Sequence, residues 1–199
     1  MPPGENRNPA VLFLGDSFTE GFGLMPHQSF PAQIQRKLDE IQEPLEIING
    51  GISGDTVMDA YYRMGPLLRA HPNVEVLVVF LGANDLFNGI SPEFSSSYFV
   101  KIIEDARQVN PGMRILVSKI PLIPGLETYG QQFVEIFPAL ARKYDVELLP
   151  FFLDGVMLEP DLCLPDGVHP NATGMEMVAN TVWQTVFQER LLQAGPGRP

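Results

Sequence analysis

Hydrophobic positions along the chain fall into short solid runs separated by longer stretches in which apolar residues recur every three or four positions. The runs Ala10–Leu14, residues 45–49, Val74–Phe80, 113–118 and 146–149 predict strands. The stretches 28–41, 56–70, 96–109, 128–143 and 172–190 predict helices. Val74-Glu75-Val76-Leu77-Val78-Val79-Phe80 is almost wholly apolar and rich in β-branched residues. Such a strand is covered on both faces, as in a parallel sheet. Regular strand–helix alternation with short connections predicts an α/β domain, a three-layer α/β/α sandwich.

The length of 199 residues fits one domain, with boundaries at 9–192. Residues 1–8 read as a flexible segment. The tail over 193–199, Gln193-Ala194-Gly195-Pro196-Gly197-Arg198-Pro199, reads as disordered because its prolines and glycines do not sustain a helix. A formal charge of −11 disfavours nucleic acid, whose phosphates require clustered Lys and Arg, and disfavours anionic membranes. The start is polar and proline-rich, without a basic segment followed by a long apolar run. The expectation is therefore no membrane anchor and a cytoplasmic location, or a periplasmic or secreted one if a leader preceded this sequence. Cys163, the one cysteine, allows no intrachain disulfide and no cysteine-rich metal site. Its expected role is that of a small hydrophobe near the core. Oligomeric state leaves no mark in the sequence.

Polar loops follow the strands. Gly15-Asp16-Ser17 follows the first, Gly50 to Asp55 the second, and Gly82-Ala83-Asn84-Asp85 the third. Parallel sheets bind ligands at the carboxyl ends of their strands, so these loops are expected to converge. Asp166-Gly167-Val168-His169 lies far downstream. A serine hydroxyl becomes a useful nucleophile when a base takes its proton and a carboxylate orients that base. Of the three histidines, His27 precedes a helix where exposure is the default, and His71 ends one. His169 is preceded by Asp166 in a Pro-Asp-Gly turn that brings carboxylate and ring together. The alternative is that Asp166 caps the turn or the next helix.

Acyl transfer also needs fixed donors where negative charge develops. The Asn84 amide, the Gly54 N–H and the Ser17 N–H are the candidates. An ordinary turn, with Asp55 as a helix cap, is the competing reading of the Gly54 loop. Asp16 is assigned a structural role, because adjacent side chains on an extended segment diverge. Thr19 stands where the Gly-x-Ser-x-Gly elbow has its second glycine, which argues against an ordinary α/β-hydrolase. Leu24, Met25, Phe87, Ile90, Leu122, Ile123 and Leu126, on loops near the same edge, are the candidate acyl contacts.

The four segments together resemble the SGNH (GDSL) hydrolase family. Gly15-Asp16-Ser17-Phe18 is similar to its first block, Gly51 to Asp55 to its second, Gly82-Ala83-Asn84-Asp85 to its third, and Asp166-Gly167-Val168-His169-Pro170-Asn171 to its last. Asn49 to Thr56 and Tyr144 to Phe152 resemble the bacterial thioesterase I, lysophospholipase L1 and arylesterase branch. The resemblance implies a flavodoxin-like, five-stranded parallel sheet. It implies Ser17 as nucleophile and backbone oxyanion donor, Gly54 and Asn84 as further donors, His169 as base and Asp166 as its orienting acid, with no cofactor or metal. The second block departs from the branch in reading Asn-Gly-Gly-Ile-Ser where alanine and serine are frequent, which suggests a looser loop. The expected activity is serine-based hydrolysis of small carboxylic esters and thioesters. A carbohydrate deacetylase with the same machinery, and a non-catalytic ligand-binding module, are the rival readings.

Overall fold

The first strand, β1 (Ala10–Gly15), is buried along its whole length and alternates between two packing environments. Ala10, Leu12 and Leu14 enter one apolar cluster, Val11 and Phe13 the other. This period-two division places β1 in the middle layer of a three-layer structure. A computed structural model describes residues 7–123 and 125–192. The proposed terminal segments 1–8 and 193–199 fall largely and wholly outside these residues.

The remaining strands are β2 (Glu46–Gly51), β3 (Val74–Phe80), β4 (Arg114–Ser118) and β5 (Glu147–Leu149). All pair in parallel in the order β2-β1-β3-β4-β5. This is the flavodoxin-like order, and its direction of winding reverses between β1 and β3. The helices are α1 (Ser17–Glu20), α2 (Phe30–Glu40), α3 (Val57–Ala70), α4 (Ala83–Phe87), α5 (Pro92–Val109), α6 (Glu127–Val134), α7 (Ile136–Tyr144) and α8 (Ala172–Val182). Helices α3, α5, α6 and α7 cover one sheet face, while α2 and α8 cover the other. Among the described residues, no helix is long and apolar enough to cross a membrane.

Several helix boundaries differ from the sequence expectation. The helix expected over 128–143 is two helices, because Pro138 supplies no N–H for the carbonyl of Val134. The fifth helix starts at Pro92 rather than 96, since the Ser91 hydroxyl caps it by accepting from the Phe94 N–H. A 3₁₀ turn over Pro26–Gln28 precedes α2, and the helix after α8 is π-helical over Trp183–Leu191. There the Thr185 hydroxyl donates to the Thr181 carbonyl at 2.7 Å, engaging a backbone acceptor of the preceding turn.

Cys163 is buried, with Sγ 3.2 Å from the Val156 carbonyl. The Asn49-Gly50-Gly51 segment forms the end of β2. Its glycines extend β2 alongside Leu14 and Gly15. A Cβ on Gly51 would lie 2.2 Å from the Glu20 nitrogen, so a glycine there lets β2 touch α1.

Candidate active site

β1 ends at Gly15, and the chain turns at once into α1. Asp16 caps that helix, its Oδ1 accepting from the Phe18 N–H at 3.0 Å. Ser17 is then the first helical residue, so its N–H has no acceptor within the helix. The side chain is buried, and Oγ lies 2.9 Å from His169 Nε2. His169 Nδ1 lies 2.7 Å from Asp166 Oδ2. With Nδ1–H donating to the carboxylate, Nε2 presents its lone pair to the serine hydroxyl.

The turn that carries Asp166 and His169 holds itself together. Asp166 Oδ1 accepts from the Val168 and His169 N–H groups, each at 2.9 Å. These bonds, followed by the contact with the His169 ring, lower the Asp166 pKa to about 2. Asp166 therefore remains ionised throughout the neutral range. The ends of the turn are tied by Leu164 N–H to the His169 carbonyl at 2.7 Å and Asn171 N–H to the Leu162 carbonyl at 2.8 Å. Asn171, not Asp166, caps α8, so Asp166 is no helix cap; it caps its own turn through Oδ1 and reaches the His169 ring through Oδ2.

Asn84 stands on α4, at the carboxyl end of β3. Its amide donates to the Asp55 carbonyl at 2.9 Å and lies 3.5 Å from Asp16 Oδ2. Gly54 lies in the exposed turn before α3 with a φ of +86°, a left-handed conformation suited to glycine. Asp55 is not a cap. Thr56 fills that role through a capping box with Asp59. The Asp55 carboxylate instead pairs with Arg63, whose second nitrogen donates to the Gly15 carbonyl at 2.7 Å. One guanidinium thus ties the second polar loop to the end of β1. Glu20 adds another tie, accepting from the Ser53 N–H at 2.7 Å and from the Ser53 hydroxyl.

Asp16 is almost wholly buried, and that burial pushes its pKa up to about 7 against the opposing Phe18 hydrogen bond. Burial likewise raises Asp85, which accepts from the Ser95 hydroxyl at 2.7 Å and the Val57 N–H at 2.9 Å. Asp85 thereby joins α4 to α3 and α5.

A cavity of about 250 Å³ is lined by Ser17, Asn84, Asp166 and His169, together with the apolar Ala83, Phe87 and Val168. Of the seven candidate acyl contacts, Phe87 lines this cavity. Leu24 lines a neighbouring depression, Met25 and Leu122 are exposed, and Ile123 and Leu126 are half-buried against the core. Ile90 is half-buried, and its carbonyl accepts from the Tyr129 hydroxyl. The sequence reading missed Arg63, Glu20 and two aromatic rings. Phe22 and Phe18 lie 4.5 and 5.4 Å from the His169 ring, centroid to centroid. Their spacing of four residues from each other, directly after the serine, was the one local clue.

Residues 13–177 match the family of GDSL-like lipases and acylhydrolases. The chain belongs to that family. Among its members with assigned functions, the thioesterase 1/protease 1/lysophospholipase L1 of Escherichia coli K12 is 33% identical over 170 residues, covering 85% of this chain and 79% of that protein. An arylesterase of Vibrio mimicus is 32% identical over 178 residues, covering 89% and 88%. Among solved structures, the SGNH-hydrolase family esterase AlinE4 superimposes with a TM-score of 0.74 at 34% identity, covering 91% of this chain and 96% of that one. The parallel sheet and flanking helices of this GDSL-like acylhydrolase agree with that likeness.

Proposed function

We propose that this carboxylic ester hydrolase works through an acyl-enzyme formed on Ser17. As Oγ attacks the acyl carbonyl, His169 Nε2 takes its proton, and the Asp166 carboxylate holds the resulting imidazolium. The oxyanion faces the N–H groups of Ser17 and Gly54 and the Asn84 amide. Collapse expels the alcohol or thiol, which receives the proton from His169. Water then repeats the sequence to release the acid. Ala83, Phe87 and Val168 offer apolar walls to the acyl carbons.

The observation that carries the reading is the unbroken chain from Ser17 Oγ through His169 to Asp166, with steps of 2.9 and 2.7 Å. The names of the relatives support small esters and thioesters as substrates. A fluorophosphonate probe tests the assignment, because it reacts with an activated serine and spares an ordinary one. Mass mapping is expected to place one adduct on Ser17 and none on a folded Ser17→Ala protein. A folded wild type that resists the probe overturns the assignment.

A further inference from the structure

A second depression, of about 410 Å³, adjoins α1 and is lined by Glu20, Gly21, Phe22, Leu24, Asn49 and Gly51 among others. Its link to the chemistry is Phe22. That ring lines the depression and also lies 4.5 Å from the His169 ring. In acyl transfer the leaving atom must sit beside the histidine that protonates it. Phe22 therefore offers a leaving group larger than its first atoms a surface that continues from His169 into the depression. The depression is tied to the nucleophile through the backbone as well, since the Gly21 and Phe22 N–H groups both donate to the Ser17 carbonyl at 3.0 Å.

The lining has a definite charge character. It holds the carboxylate of Glu20 and the exposed face of Phe22, and no Lys, Arg or His. Ser53 fixes the carboxylate by two hydrogen bonds to one of its oxygens, while the other oxygen carries no such bond. A carboxylate beside an aromatic face attracts an organic cation and repels an anion. The formal charge of −11 adds a long-range contribution of the same sign.

We propose that this depression is the leaving-group subsite and that it selects cationic alcohols and thiols, of the quaternary or primary ammonium class, over anionic ones. The inference rests on the acyl-enzyme reading above and narrows its substrates. Anionic leaving groups are disfavoured here, and Leu24 belongs to this side of the site rather than to the acyl side.

Three thioesters with one acyl group test it: butyrylthiocholine, S-(2-hydroxyethyl) thiobutyrate and S-carboxymethyl thiobutyrate. They carry cationic, neutral and anionic leaving groups. Thiol release gives kcat/KM for each, divided by the rate of its uncatalysed hydrolysis. The wild type is expected to favour the cationic over the anionic ester by about tenfold, as partly exposed ion-pair and cation–π contacts allow. In Glu20→Gln, which keeps an acceptor for Ser53, the cationic-to-neutral ratio should fall by about three- to fivefold. Phe22→Leu should lower it by about twofold. Because each ratio is taken within one protein, partial misfolding of a variant does not move it. Added salt should shrink the wild-type preference without any mutation. A preference that neither salt nor Glu20→Gln changes overturns the subsite, as does equal turnover of the cationic and anionic esters. Those results leave Ser17 labelling intact. Failure to hydrolyse all three esters together with failure to label Ser17 overturns the acyl-enzyme reading and the subsite with it.

Discussion

The histidine arm and the amide arm of the site meet at Ser17 but are held in different ways. Asp166 and His169 are three residues apart, and Asp166 bonds to the backbone of its own turn. The turn is partly exposed and is closed by neighbours within a few positions. The amide arm is assembled from distant segments. Asn84 reaches the Asp55 carbonyl, Arg63 holds Asp55 to Gly15, and Glu20 holds Ser53. A locally built arm can lose a side chain and stay in place. An arm built from long-range contacts cannot, so there chemistry and stability are coupled.

The largest expected effect lies on the histidine arm. His169→Ala should cut kcat by roughly 10⁴ or more, while thermal unfolding shifts little. Combining it with Ser17→Ala should add almost nothing, because nucleophile and base act as a unit. A folded His169→Ala protein with near-normal turnover breaks the comparison outright.

Asn84→Ala should cost about 10²- to 10³-fold in kcat, far more than it raises KM, since an oxyanion donor acts after the carbonyl becomes tetrahedral. Unlike the histidine variant it should also lose about 1 kcal/mol of stability, through the bond to the Asp55 carbonyl. Parallel denaturant melts and steady-state kinetics read both. Lost stability with unchanged kcat would reduce Asn84 to a structural residue.

The smallest effect concerns Asp16. Its folded pKa of about 7 exceeds the ordinary value of 3.8. Between those pH values the folded state binds more protons than the unfolded one, so stability falls as pH rises from about 4 to 7. Asp16→Asn removes that slope. Its stability relative to wild type should grow by roughly 2–4 kcal/mol between pH 4 and pH 8. A relative stability that grows toward acid instead would show that Asp16 is held charged.

The same contrast explains what could be read from the sequence. The five strands were legible because a strand buried on both faces is an unbroken apolar run, as in Val74–Phe80. Asp166 and His169 were legible as a pair because their contact is local. Helices α1 and α4 were not, since four or five residues are too few to display a period. Arg63 escaped notice because its partner carbonyl on Gly15 is 48 positions away, and no pattern around residue 63 announces it. Ile123 and Leu126 read as loop residues, and their packing against the core comes from residues distant in sequence, which no local pattern announces.

The hydrogen bond between Ser17 and His169 spans 152 positions of the chain. During synthesis Ser17 leaves the ribosome early and His169 near the end. All five strands precede residue 166, so a nascent chain can pair its sheet while still lacking the means to deprotonate the serine. Recovery of hydrolysis after refolding therefore reports the docking of the Asp166–His169 turn against Ser17.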